Sequence, residues 1–140
     1  MGRILGIDVG TIRIGLAVVS RPHGVPEPLP AVLRANGSGE RAIIKMLGEY
    51  RIELIIIGLP LSADNKDTPQ CENVRTFGRR LSRRLSVPIE YQDEYLSSFE
   101  ATELWNESSS RKFSQRNTGE IDSLAACIIL KDYLNNKAIA

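Results

Sequence analysis

Apolar positions open the chain in two short runs, 4–9 and 14–19, separated by Gly10-Thr11-Ile12-Arg13. Residues 3–9 and 13–20 therefore read as two strands joined by a short glycine-containing turn, an antiparallel hairpin. Prolines at 22, 26, 28 and 30 mark 21–30 as loop. A third strand is expected over 31–34, before Asn36-Gly37-Ser38-Gly39 breaks the chain. Ile43, Ile44, Leu47 and Tyr50 then recur at helical spacing. Residues 53–58, Glu-Leu-Ile-Ile-Ile-Gly, form the continuous apolar run of a central strand covered on both faces. After a polar loop over 60–67, Thr68-Pro69 supplies a cap residue followed by proline at the first helical position. Val74, Phe77, Leu81 and Leu85 give that helix its apolar stripe. Residues 87–91 read as a further strand, and Ser97-x-x-Glu100 matches a capping box that opens another helix. A serine-rich break over 107–119 leads to a final helix over about 120–134.

The expected order is βββ-α-β-α-β-α-α. Strands joined by helical crossovers pair in parallel, whereas the opening hairpin is antiparallel. The fold class is therefore α/β, a mixed five-stranded sheet with an antiparallel N-terminal hairpin and helices on both faces. The 140 residues form a single domain, 1–140, long enough to bury about two-thirds of the unfolded surface. Composition adds little: a net charge of +1 means any nucleic-acid site depends on local clustering. No apolar run approaches the roughly 18 residues that span a bilayer, and no signal-like segment opens the chain, so a cytoplasmic, non-membrane protein is expected. Cys71 and Cys127 lack metal-ligand or redox spacing and read as free thiols. His23, the lone histidine, lies in the proline-rich loop and reads as a solvent-facing residue.

Chemistry enters through carboxylates. Asp8 stands inside an apolar strand, where acids are depleted. In parallel sheets functional groups gather at the carboxyl ends of strands. The first strand ends at Asp8 and the last at Asp93-Glu94, so neighbouring strands would bring Asp8 near Asp93 or Glu94. Asp122 lies in the first turn of the final helix and shares a helical face with Ala125, Ala126 and Ile129. Small residues there let the helix lie close to the sheet. Facing carboxylates repel unless they share a proton or a cation. Three acids without a suitable histidine or cysteine describe a hard-cation site for Mg²⁺ or Mn²⁺. A pair of such ions suits phosphodiester cleavage.

These residues resemble the YqgF/RuvX family of ribonuclease H-like proteins, described as pre-16S rRNA nucleases and formerly as Holliday junction resolvases. The resemblance spans nearly the whole chain. It rests on Gly6-Ile7-Asp8-Val9-Gly10 with Arg13-Ile14-Gly15-Leu16-Ala17, Ile57-Gly58-Leu59-Pro60-Leu61, Val74-Arg75-x-Phe77, Asp93-Glu94-x-Leu96-Ser97-Ser98 and Asp122-x-x-Ala125-Ala126-x-x-x-Leu130. It implies a ribonuclease H-like fold, catalytic and metal-ligand roles for Asp8, Glu94 and Asp122, and Asp93 as a helper or structural neighbour. It also implies hydrolysis of structured RNA, in 5′-end processing of pre-16S ribosomal RNA during ribosome biogenesis. Three positions depart from the family pattern. Tyr95 replaces an arginine after the Asp-Glu pair, Ser20-Arg21 replaces Ser-Asp, and residues 62–67 replace a glycine-bearing loop. A tyrosine can stack on a base but cannot neutralise phosphate, so these changes bear on substrate positioning rather than on the acids.

For nucleic-acid contact the candidates are Arg13 beside Asp8, Arg75 and Arg79 on one helix face, Tyr95, and Arg111, Lys112 and Arg116 in the break before Asp122. Each arginine also has a plain reading as a solvated or ion-paired side chain. Two alternatives share the fold: a DNA Holliday junction resolvase with the same acids, and a non-catalytic RNA-binding ribosome-assembly factor. A nucleotide-binding ATPase fits poorly, because Asp8-x-Gly10-Thr11 would need a second lobe and no P-loop is present. The sequence marks no dimer face, and a monomer or weak dimer is expected.

Overall fold

The hydrophobic alternation resolves into a mixed sheet with one layer of helix on each face. The computed structural model describes residues 2–20, 24–61, 66–94 and 118–139. Among these, the strands are β1 (Arg3–Val9), β2 (Arg13–Ser20), β3 (Glu27–Leu33), β4 (Ile52–Pro60) and β5 (Ile89–Glu94). The helices are α1 (Ser38–Tyr50), α2 (Pro69–Ser82) and α3 (Thr118–Ile139), with a single 3₁₀ turn at Ala35–Gly37. Sheet order is β3-β2-β1-β4-β5. The β1–β2 and β2–β3 pairs are antiparallel, whereas β1–β4 and β4–β5 are parallel. The expected architecture is therefore present, and no helix among the described residues is long and apolar enough to cross a membrane.

Several element boundaries differ from the sequence reading; β4 runs on to Pro60, and α2 ends at Ser82, leaving Leu85 beyond it. β3 begins at Glu27 rather than at 31, so Pro28 and Pro30 lie within a strand. β3 pairs only with β2, and an edge strand tolerates prolines because it has a side that needs no donor. The register also shifts between Ile14 and Leu16, opposite the Pro30-Ala31 step. β5 starts at Ile89 and runs on to Glu94, carrying the Asp-Glu pair inside the ladder rather than beyond it. α3 spans Thr118–Ile139, longer at both ends than expected. The helix expected from Ser97, and the loop containing His23, lie outside the described residues.

Alternation divides the core in two. Leu5, Ile7, Ile55, Ile57 and Leu59 face α1 and α2, packing against Ile43, Val74, Phe77 and Leu81. Ile4, Ala17, Val19, Leu54 and Ile56 face α3, packing against Ala126, Ile129, Leu130 and Tyr133. Cys71 is buried and Cys127 half-buried, both as free thiols. Thr68 joins α2 to the end of β4. Its hydroxyl donates to the Pro60 carbonyl at 2.8 Å, and its N–H donates to Cys71 Sγ at 3.5 Å.

The approach of α3 to the sheet depends on two strand positions without side chains. A Cβ on Gly6 would lie 2.6 Å from Leu130 Cγ and 3.0 Å from the Ala126 carbonyl oxygen. A Cβ on Gly58 would lie 2.5 Å from Ile129 Cδ1. The small residues of the helix and the glycines of the sheet thus act together. Gly6→Ala is expected to destabilise the fold by about 1–3 kcal/mol through overpacking. Urea denaturation measures this; an unchanged midpoint would show that α3 can move away at no cost.

Candidate active site

The three parallel strands β1, β4 and β5 end at one rim, where a parallel sheet presents functional groups. Asp8 is the penultimate residue of β1 and Glu94 the last of β5. Their strands are not neighbours. β4 lies between them, so the two backbones are about 10 Å apart across two strand spacings. This corrects the expectation of adjacent acid-bearing strands. The gap is bridged at Gly58, which carries no side chain: Glu94 Cγ lies 3.9 Å from where a Gly58 Cβ would be.

Face assignment separates Glu94 from Asp93. On β5, Ile89 packs with the α1–α2 core, and the Tyr91 hydroxyl abuts Gly78 of α2. Glu90 lies on the opposite face, where the Tyr133 hydroxyl of α3 donates to its Oε1 at 3.3 Å. The period-2 alternation then puts Glu94 on the α3 face and Asp93 on the α2 face. Asp8 follows Ile4 and Gly6, which both face α3. Asp8 and Glu94, both half-buried, therefore share the α3 face, while Asp93 is exposed on the other.

α3 begins at Thr118, so Asp122 lies in its second turn rather than its first, on the helix that packs against this face of the sheet. The adjoining Ser123 is buried, and its hydroxyl bridges two strands. It donates to the Leu29 carbonyl of β3 at 2.6 Å and accepts from the Leu16 N–H of β2 at 3.3 Å. Leu16 follows Gly15, the cross-strand partner of Asp8. Among the described residues no group of three or more His, Cys, Asp or Glu side chains placed to hold a metal ion is formed. An oxygen-only donor set at a helix N-terminus fits a hard divalent cation rather than a thiolate or imidazole metal. The thiols are unsuited to neutral-pH chemistry: Cys71 is buried, and burial pushes the Cys127 thiol up to about 11.

The basic candidates divide by their partners. Arg75 makes a two-pronged ion pair with Asp67, both contacts at 2.9 Å. This pair holds the Asp67 carboxyl below its ordinary range and raises the Arg75 guanidinium. Arg79 reaches Glu72 at 2.9 Å. Both arginines thus have acidic partners, Asp67 just ahead of α2 and Glu72 within it. Arg13 lies at the start of β2, beside the turn that follows Asp8. Tyr95, Arg111, Lys112 and Arg116 lie outside the described residues.

Two residues with structural claims on the site were not singled out from the sequence. Ser123 is one. Arg34 is the other: it donates to the Gly10 carbonyl at 3.0 Å and to Asn73 Oδ1 at 2.9 Å, and its guanidinium lies 5.7 Å from the Phe77 ring centroid. Its own N–H donates to the Ile12 carbonyl at 2.9 Å. The turn after Asp8 is thereby tied to α2. Both residues act on partners far away in sequence, so no local pattern announces them.

Comparison with known proteins shows the family and the fold. The sequence matches the RuvX family, described as Holliday junction resolvase, over residues 2–136. It is 37% identical over 139 residues to an Oenococcus oeni protein named "Putative pre-16S rRNA nuclease", covering 96% of this chain and 95% of the relative. A protein of the same name from Escherichia coli is 37% identical over 134 residues, covering 94% and 95%. Among solved structures, Thermus thermophilus RuvC superposes with a TM-score of 0.59 at 14% identity, covering 96% of each chain. The fowlpox virus Holliday junction resolvase gives 0.56 at 13% identity, covering 96% and 99%. At such identities these likenesses show the fold alone, and that fold is ribonuclease H-like.

Arg34→Met keeps the aliphatic stem and removes both hydrogen bonds to the turn and to Asn73. It is expected to cost about 1–2 kcal/mol, the scale of hydrogen bonds from a charged donor. Chemical denaturation reads this loss; a wild-type midpoint would show that the turn holds itself.

Proposed function

The chain belongs to the RuvX family, and from that premise we propose that it is a nuclease that cleaves structured RNA with divalent metal ions. The specific reaction proposed is 5′-end processing of pre-16S ribosomal RNA, carried by Asp8, Glu94 and Asp122. The observation that carries this reading is the shared α3 face of Asp8 and Glu94 across the side-chain-free Gly58, with the second turn of α3 bonded to the same sheet through Ser123. The names of the relatives support RNA as the substrate.

In this reading Asp8, Glu94 and Asp122 would hold a pair of Mg²⁺ or Mn²⁺ ions. Bound there, the ions supply Lewis acidity at the scissile phosphate and lower the cost of ionising the attacking water. The three carboxylates would hold the cations against the rigid sheet and balance their charge. Arg13 contacts the substrate backbone near Asp8. Tyr95 offers a face on which a base stacks, and Arg111, Lys112 and Arg116 contact phosphates ahead of Asp122. The protein works in the cytoplasm, as its free thiols suit a reducing compartment.

The test is cleavage of an end-labelled RNA bearing the 5′ extension of small-subunit ribosomal RNA, in Mn²⁺, in Mg²⁺ and in EDTA. A four-way DNA junction is run alongside. The family description as Holliday junction resolvase makes that junction the second substrate to exclude. Asp8→Asn, Glu94→Gln and Asp122→Asn are each expected to lower cleavage at least about 100-fold while the thermal midpoint stays near that of the native chain. RNA cleavage abolished by EDTA and by these substitutions supports the proposal. Junction cleavage without RNA cleavage moves the substrate to DNA, and metal-independent RNA binding without cleavage makes the protein an assembly factor.

The ion pair on α2 gives a second prediction. Asp67→Asn leaves Arg75 only its longer contact with Glu72 at 3.8 Å, so RNA binding should tighten at low salt and the log–log salt slope should steepen by up to about one phosphate contact. In the native chain the same release follows acidification: the pair persists at neutral pH and is lost as pH falls through the lowered Asp67 pKa. Identical slopes for the two proteins would remove Arg75 from the RNA surface.

A further inference from the structure

We infer that Ser123 is a positioning residue for the acid site, acting through the first turns of α3 rather than by touching substrate. The inference rests on the proposed metal-dependent reading. Ser123 is 2% exposed, so it has no access to RNA. Its hydroxyl is committed in both directions, donating to Leu29 and accepting from Leu16. These two residues face each other across β2 and β3, beside the register shift opposite Pro30-Ala31. One hydroxyl therefore bridges both strands at the point where the regular ladder is interrupted.

The bridge matters because of what lies one residue away on each side. Asp122 precedes Ser123 on the helix, and Gly15 precedes Leu16 on β2. Gly15 is the cross-strand partner of Asp8. From the Asp8 backbone to the Asp122 backbone the path is one strand pair, one residue step, one hydrogen bond and one further residue step. A second hydrogen bond from α3 to the sheet, Tyr133 to Glu90, lies ten residues along the helix. The rest of the helix is held by apolar packing around Ala126, Ile129 and Leu130, which resists separation but restrains sliding less. The hydroxyl fixes the axial position of the helix, and with it the spacing between the Asp122 and Asp8 positions. Groups that orient metal ligands in this way typically change metal affinity by 10–100-fold when removed.

The experiment measures Mn²⁺ binding to the full chain by the loss of the free-ion electron paramagnetic resonance signal. It compares the native protein, Asp8→Asn, Ser123→Ala, Ser123→Thr and Tyr133→Phe. Tyr133→Phe is the control, since it removes an α3–sheet hydrogen bond at the far end of the same helix. The native chain should bind Mn²⁺ and Asp8→Asn should not. Ser123→Ala should bind about tenfold more weakly, with Ser123→Thr restored towards native affinity and Tyr133→Phe unchanged. In the RNA cleavage assay Ser123→Ala should lower kcat at a constant KM. Native Mn²⁺ affinity in a folded Ser123→Ala overturns the inference, as does equal weakening in Tyr133→Phe, which would mean general loosening of the helix. Should Ser123→Ala not fold, Ser123→Cys replaces it: the weaker sulfur bridge must still lower Mn²⁺ affinity, and native affinity there overturns the inference. A native chain that binds no Mn²⁺ at all overturns the metal reading itself, a result separate from every comparison among the variants.

Discussion

The close packing of one long helix on two glycines organises this molecule. Gly6 and Gly58 occupy adjacent strands on the α3 face, and neither position has room for a Cβ against Leu130 and Ile129. A helix held that near the sheet reaches the rim where the parallel strands end. The same missing side chain at Gly58 opens the space into which Glu94 leans, on the side of the sheet that carries Asp8. Close packing in the interior and an open slot between acids thus arise from one compositional choice. In a close-packed core such a choice is not easily reversed, because even one added methyl group must displace its neighbours.

Polar ties then set positions that apolar packing leaves loose. Ser123 bonds the start of α3 to the β2–β3 seam, Arg34 bonds the turn after Asp8 to α2, and Thr68 bonds the start of α2 to the end of β4. Each tie reaches the acid-bearing rim from a different element. Apolar burial is non-directional and supplies most of the stabilisation. The directional hydrogen bonds contribute less to stability and more to where each element sits along its axis.

Much of this was legible in the sequence, and the failures have physical causes. The hairpin, the continuous β4 run, the Thr68-Pro69 helix start and the stripe of Val74, Phe77 and Leu81 are local signals, and all are present in the structure. β3 was read too short because Pro28 and Pro30 argue against a strand unless that strand is an edge, and edge status is a property of the whole sheet. The choice between Asp93 and Glu94 could not be made from the residues alone, where both stood open. Which of them shares the face of Asp8 follows from parity, which Tyr91 against Gly78 and Glu90 against Tyr133 set from outside the strand. Ser123 was passed over beside Asp122 because its partners, Leu16 and Leu29, lie 107 and 94 residues away. The arginine stripe of α2 is visible in the sequence, but its pairing with Asp67 and Glu72 depends on side-chain geometry that spacing does not fix.

The central claim is that the acids of this rim act together on a cation, and diffraction reads that most directly. Crystals of the full chain grown with Mn²⁺ and measured near the manganese absorption edge locate the ion by anomalous scattering, independently of any substrate. The account predicts anomalous density at the rim over Gly58, in contact with the carboxylates of Asp8, Glu94 and Asp122, and absent in Asp8→Asn crystals. Density only at other surface carboxylates, with the three acids bonded to protein groups instead, would contradict it.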